Sequence, residues 1–240
     1  MIHYHGLPIT PTEVLVSAMR GRHCLVSFAY PGQIELAAEI CQSIVLDNGA
    51  FSAWRSKTPL DFDGYCIWAD KWLRHPSVDW CLIPDVIDGS AEENDRMILR
   101  FPVRRELAVP VYHLHEDLSR LKMLMRNFHR IALGSSGGYS VVGNAAWWER
   151  MKQVMAVLCY ENGAPKVKLH GLRMLNHKVF TKLPLTSADS CNVARNVGID
   201  KAWAKAYAPA NKTGRAIILA DRIESHQSAA LWAAEQTNET

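Results

Sequence analysis

Short apolar segments alternate along the chain with longer segments of helical periodicity. Seven apolar segments have the length and β-branched content of strands, and they span residues 23–28, 43–48, 79–85, 109–115, 130–136, 166–172 and 184–190. The sequence RAIIL predicts an eighth strand at 215–219. Because these segments are almost continuously apolar, both faces of each strand are expected to be buried, as in a parallel sheet.

Helical periodicity fills most of the intervals between these strands. The predicted helices cover residues 32–41, 61–74, 90–106, 117–128, 144–160, 173–181 and 221–236. The sequence after residue 190 also has a helical pattern. Ser90 is a predicted N-cap. Strand–helix alternation repeated about eight times predicts an α/β fold, a (β/α)8 TIM barrel in a single domain over 1–240, with a frayed tail at about 235–240. An open doubly wound sheet is the alternative, although no glycine-rich dinucleotide fingerprint follows the first predicted strand.

Composition adds little to the predicted fold and partners. The 240 residues are 48% hydrophobic and 21% charged, which suits one large domain with a substantial core. A net charge of +3 permits a nucleic-acid partner without requiring one. Six cysteines without a CxxC pair indicate free thiols in a cytoplasmic protein. No apolar run approaches the roughly 20 residues of a membrane helix and the N-terminus lacks a signal pattern, so no membrane partner is expected.

Ionisable and small polar residues follow the ends of the predicted strands. In a barrel these ends and their loops form one mouth, where chemistry takes place. In chain order the residues are Asp47, Asn48, Gly49, Asp85, Asp88, His113, His115, Glu116, Gly134, Ser135, Ser136, His170, Asp189 and Ser190. A lone Asp after a strand is more often a loop cap, but six consecutive strands ending this way favour a functional site.

Three functions fit this set of residues. Paired carboxylates can transfer a glycosyl group, one attacking the anomeric carbon while the other moves a proton. Alternatively, a metal-dependent TIM-barrel hydrolase would use His113, His115, His170 and Asp189 as ligands. A barrel that binds a base or nucleotide without turnover is the third interpretation.

The ordered strand-end motifs resemble those of tRNA-guanine transglycosylases (queuine tRNA-ribosyltransferases). The matching stretches are SIVLDNGAFSAW (43–54), LIPDVID (82–88), ALGSSGGY (132–139), HGL (170–172) and LPLTSADSCNVARN (183–196). The closer resemblance is to the deazaguanine DNA transglycosylases of phages and bacterial modification islands. It implies an enzyme that replaces guanine in a nucleic acid with a free 7-deazaguanine base such as preQ0. No cofactor and no metal are expected.

Residue roles follow from this resemblance. Asp189 matches the nucleophile that attacks C1′, Asp47 matches the proton-transfer residue, and Asp85 matches the residue that reads the purine edge. The other residues with an implied or predicted substrate-binding role are Phe51, His113, Gly134, Ser135 and His170. The candidate nucleic-acid contacts are Arg173, Arg195 and Lys201. His113 departs from the family, which has an amide on that strand.

A second departure concerns the polymer. The tRNA enzymes carry a zinc subdomain after the nucleophile, whereas only Cys191 follows Asp189 here, so no such subdomain is expected. DNA is therefore favoured over tRNA, a tRNA-acting transglycosylase remains an alternative, and a homodimer or partner protein would supply further binding surface. Asp189 needs hydrogen-bond donors, for which the candidates are Ser187, Ser190 and Asn192.

Overall fold

Parallel strands form one sheet in the part of the chain that the computed structural model describes, residues 1–198, 203 and 208–234. The strands are β1 Ile2–Gly6, β2 His23–Ser27, β3 Ser43–Asp47, β4 Val78–Leu82, β5 Ala108–Val109, β6 Val111–His113, β7 Arg130–Gly134, β8 Lys168–Gly171 and β9 Ser187–Ser190. Lys201 and the tail at 235–240, which was predicted to fray, lie outside the described residues.

The sheet closes into a barrel through one interrupted segment. The strand order is β5-β4-β3-β2-β1-β9-β8-β7-β6, and β5 and β6 are the two halves of residues 108–113. Pro110, which has no N–H to donate, separates them. The first half pairs with β4, Cys81 opposite Ala108, and the second pairs with β7, His113 opposite Gly134. The predicted TIM-barrel fold is confirmed.

Helices surround the strands. They are α1 Thr12–Met19, α2 Ile34–Ile40, α3 Ala50–Ser56, α4 Phe62–Trp72, α5 Ala91–Arg100, α6 Leu118–Asn127, α7 Ala145–Leu158, α8 His177–Phe180, α9 Asn192–Asn196 and α10 Lys212–Glu224. Ser90 is the N-cap of α5, as predicted, and forms a reciprocal capping box with Glu93. The α5 helix ends before the predicted residue 106, because Phe101 precedes a proline and adopts an extended conformation.

The eighth strand was predicted in the wrong place. Residues 215–219 lie inside α10, whose N-cap Asn211 accepts a hydrogen bond from the backbone of Gly214. The remaining strand of the barrel is β1, between β9 and β2. Because β1 contains His3 and His5, it does not form an apolar run and was not predicted. Both histidines are nevertheless buried. His3 forms a hydrogen bond with the carbonyl of His226, and His5 forms one with Glu224. The last helix was also predicted wrongly, since residues 225–233 are not helical.

Two apolar layers position the mouth. One fills the barrel interior and consists of Tyr4, Leu25, Val45, Trp80, Leu82, Val109, Val111 and Ala132. The larger layer packs the outer faces of the strands against the helices, and it includes Trp147 and Trp148, which were predicted to be core residues. Within the described part of the chain, no helix has both the length and the apolar character needed to cross a membrane.

Candidate active site

Asp47 is the last residue of β3 and lies half-buried at the C-terminal mouth of the barrel. The backbone N–H of Gly49 donates to its Oδ2 at 3.1 Å. Burial raises the pKa of Asp47 to about 6, and the charges of Asp189 and Asp85 add to the increase, against hydrogen bonds from Ser27 and Gly49. Asp189 and Asp85 are therefore close enough to Asp47 to influence its pKa.

Asp189 lies on β9 and is 6% exposed. Its Oδ1 accepts a hydrogen bond of 2.9 Å from the backbone N–H of Arg173, and His170 Nε2 lies 3.4 Å from the same oxygen. Arg173 has a φ of 56°, a left-handed conformation that is rare outside glycine and that holds its N–H toward the carboxylate.

The three predicted donors to Asp189 have other partners. Ser187 Oγ lies 2.9 Å from His170 Nδ1, and Ser190 Oγ accepts from the backbone of Asn192. The Asn192 side chain donates to the carbonyl of Leu175. The prediction of these donors was wrong. The strand β9 and the following helix orient these three side chains toward other groups and not toward Asp189.

His170 is fully buried inside the barrel, where its ring centroid lies 4.8 Å from that of Trp80. Its Nε2 has no hydrogen-bond partner among the described residues. Arg130 donates to Ser187 Oγ, so the hydroxyl proton of Ser187 is free to bond His170 Nδ1. In that tautomer, His170 directs an N–H from Nε2 toward Asp189.

Asp85 follows β4 and is held from two sides. Asn48 Nδ2 donates to Oδ1 at 2.7 Å, and His113 Nε2 lies 2.8 Å from Oδ2. His113 Nδ1 lies 3.4 Å from Glu116. Burial lowers the pKa of His113, but the two carboxylates outweigh burial and raise that pKa to about 9. His113 is therefore an imidazolium at neutral pH, and it fixes Asp85 in place.

No family model, no curated protein and no solved structure matches this chain. Function must therefore be inferred from the residues of the mouth themselves.

Gly134 is the last residue of β7, opposite His113, and Ser135 follows it. A Cβ at Gly134 would lie 3.2 Å from Val111 Cγ1 and 3.3 Å from the His113 ring, so glycine permits close packing at this point. The hydroxyl of Ser135 accepts a hydrogen bond from Trp147 Nε1 at 2.9 Å. The Ser135 side chain thus bonds a buried core residue. The contact between its backbone and the base stays a prediction.

Two of the predicted nucleic-acid contacts lie at the mouth. Desolvation and the charges of Asp189 and Asp47 raise the pKa of Cys191 to about 11, while Arg195 and Arg173 oppose that rise. The charges of both arginines and of both carboxylates therefore act at Cys191, which follows β9 at the mouth. Both arginines are exposed, so they are accessible to phosphate groups.

The histidines and Asp189 do not gather around one point. Both ring nitrogens of His113 face carboxylates, and His115 Nδ1 bonds Ser136 at 2.7 Å. His170 lies inside the barrel beside Asp189. Among the described residues, no three His, Cys, Asp or Glu side chains form a group that could hold a metal ion. The geometry gives no support to the metal-dependent hydrolase.

Two residues that support this site were not predicted from the sequence. Asn94 donates to Glu116 at 3.1 Å, and Arg120 donates to the other Glu116 oxygen at 2.6 Å. The i, i+4 spacing of Glu116 and Arg120 was a usable signal. Nothing in the sequence indicated the left-handed Arg173.

Proposed function

We propose that this protein is a base-exchange transglycosylase that replaces guanine in a nucleic acid, DNA in preference to tRNA, with a free 7-deazaguanine. The observation that carries the proposal is the pair of carboxylates with different surroundings at one barrel mouth. Asp189 is held by a backbone N–H beside an imidazole, whereas Asp47 is half-buried and has a raised pKa. Carboxylates in such different environments suit a nucleophile and a proton carrier.

In the first half of the proposed reaction, an Asp189 oxygen attacks C1′ of the target nucleotide. The C1′–N9 bond breaks and its electron pair returns to guanine, which leaves as a neutral base after taking a proton from Asp47. In the second half, N9 of the 7-deazaguanine attacks C1′, the bond to Asp189 breaks, and the N9 proton passes to Asp47. Each cycle therefore restores both carboxyl groups.

The surroundings of Asp47 support this proton transfer. A pKa of about 6 leaves both protonation states populated near neutral pH, so the same group can donate to the departing base and accept from the incoming one. The charges of Asp189 and Asp85 contribute to that pKa, which means that the proton affinity of Asp47 responds when Asp189 becomes an ester.

Base recognition would fall to Asp85. Asn48 and His113 each occupy one of its oxygens and thereby fix the plane of the carboxylate, while further acceptor positions on those oxygens remain for the amide and amine N–H groups of a purine. Arg173 and Arg195 would contact backbone phosphates. The preference for DNA rests on the sequence, in which Cys191 is the one cysteine after Asp189.

Asp189→Asn tests the proposal. The full chain is incubated with a guanine-containing DNA oligonucleotide, or with tRNA, and free preQ0, and the nucleosides are analysed by mass spectrometry. We expect the base-exchange mass shift in DNA from the wild type, a loss of about a thousandfold or more in Asp189→Asn, and no adduct on a denaturing gel. Asp70→Asn, at an exposed carboxylate on α4 that pairs with Arg74, is the matched control and should remain active.

Three outcomes would count against the assignment. A fully active Asp189→Asn enzyme would refute the nucleophile. Modification of tRNA but not DNA would refute the choice of polymer. Loss of activity on chelation, together with a stoichiometric transition metal in the active protein, would instead favour the metal-dependent hydrolase.

A further inference from the structure

Two exposed aromatic side chains lie next to the mouth on helix α3. Trp54 is 48% exposed and Phe51 is 36% exposed, although both are large apolar residues. Their ring centroids are 5.6 Å apart and their planes differ by 32°. We refer to Phe51, Trp54 and Arg173 as the aromatic rim.

The aromatic rim is held in a fixed arrangement although it is exposed. The indole N–H of Trp54 donates to Asp88 Oδ2 at 2.7 Å, which ties the ring to the loop after β4. The guanidinium of Arg173 lies 4.1 Å from the centroid of Phe51. An exposed aromatic ring that is oriented in this way loses little conformational freedom when it binds a partner.

The aromatic rim begins at the proposed nucleophile. Arg173 contacts Asp189 through its backbone N–H and Phe51 through its side chain, and Trp54 follows one helical turn later. The same elements carry exposed cations, Arg55 and Lys57 on or next to α3 and Arg195 on α9, and the exposed carboxylate of Asp88 is bonded to the indole N–H of Trp54. Exposed aromatic faces among cations are complementary to an unpaired nucleotide, which has a planar base and an anionic phosphate.

We propose that Trp54 stacks the base of a nucleotide adjacent to the one being exchanged, in a single strand or in a locally opened duplex. Arg173 and the neighbouring cations then contact the phosphates on either side. The choice of a nucleic acid as partner rests on the proposed function. The stacking itself requires only that the polymer reach the mouth with unpaired bases, which base exchange in a duplex would also demand.

The test is a fluorescence-anisotropy titration of a labelled single-stranded DNA of about 12 nucleotides against the full chain. We expect Trp54→Ala to weaken binding by about 5- to 100-fold and Trp54→Phe to retain most of the affinity. The matched control is Tyr160→Ala. Tyr160 is 59% exposed with Lys166 over its ring, and it lies in the loop that enters β8, at the opposite end of the barrel.

Salt dependence separates stacking from charge. The slope of log affinity against log salt should be unchanged in Trp54→Ala, because a neutral ring releases no counterions. Arg173→Gly should reduce that slope, and glycine accepts the left-handed backbone that presents the N–H to Asp189. A reduced slope in Trp54→Ala would indicate a general disturbance of the mouth and would overturn the stacking role.

The outcomes distinguish this inference from the transglycosylase assignment. Unchanged DNA affinity in Trp54→Ala, an equal loss in Tyr160→Ala, or no binding by the wild type would overturn the inference. A protein partner for the aromatic rim would give the first of these results. If binding depends on Trp54 but no base exchange occurs, the stacking role stands and the transglycosylase assignment is refuted. If exchange occurs but binding does not depend on Trp54, the transglycosylase assignment stands and the stacking role is refuted.

Discussion

Replacing Asp47 with asparagine should stabilise the protein while it removes the proposed activity. Burial raises the pKa of Asp47 from 3.8 to about 6 in the folded chain. A difference of about two pKa units corresponds to roughly 3 kcal/mol of unfavourable free energy for the charged form in the fold. Asparagine retains an oxygen for the N–H of Gly49 and carries no charge, so it avoids most of this cost.

The effect of Asp47→Asn has a defined pH window. Below pH 3.8 the carboxyl is protonated in both the folded and unfolded chain, and the substitution should change the free energy of unfolding little. As the pH rises through about 6, the wild type loses the stability that its protonated form contributes. The advantage of the variant should therefore grow between pH 4 and pH 6.5 and then level off at about 2–3 kcal/mol.

Urea denaturation of both proteins at pH 4, 5, 6, 7 and 8 measures this difference. Titrating groups that do not interact with Asp47 contribute equally to both proteins, so they cancel when the two free energies of unfolding are subtracted. Asp189→Asn should lower the plateau, because it removes one of the charges that raise the pKa of Asp47. A difference that is flat with pH, or that favours the wild type above pH 6, would refute the environment assigned to Asp47.

Two further substitutions address the residues that hold the other carboxylates. His113 contributes stability that is complete below pH 6.5 and is lost as the pH rises through about 9, so the fall in the free energy of unfolding between pH 6 and pH 9.5 should be about 3 kcal/mol smaller in His113→Gln than in the wild type. A fall of equal size in the variant would contradict the ion pair. His170→Gln should lower kcat for base exchange by roughly tenfold or more without changing KM for the oligonucleotide, because His170 is fully buried and adjoins Asp189. A raised KM with unchanged kcat would instead indicate that it binds substrate.

The barrel was predictable wherever strands are continuously apolar. Segments such as 43–48 and 130–136 are buried on both faces, and their hydrophobicity alone identifies them. The first strand failed this criterion, because the polar partners that allow His3 and His5 to be buried come from the distant C-terminal region. The apolar run at 215–219 was predicted to be a strand but lies in α10. Its packing and the N-cap Asn211 favour the helix more than its residues favour a strand.

The site was predictable as a set of residue types but not as a set of contacts. Strand ends identified Asp47, Asp85 and Asp189, because parallel strands in a barrel bring their C-terminal ends together. The donors to Asp189 depend on the left-handed backbone at Arg173, which local sequence does not encode. Likewise, the pairing of His113 with Asp85 depends on side-chain directions that only the closed barrel defines.

The interruption at Pro110 makes the wall between β4 and β7 a place where the barrel should open readily. Across this wall β4 and β5 share two register pairs, as β8 and β9 do, whereas β2 and β3 share five. Sparse backbone bonding lowers the free energy of local opening and exposes amides to hydrogen exchange. The ion pair between His113, at the end of β6, and Asp85, after β4, spans this gap. The interaction that orients the proposed base-reading carboxylate therefore also keeps the barrel wall closed, so that local opening and loss of base recognition become a single event.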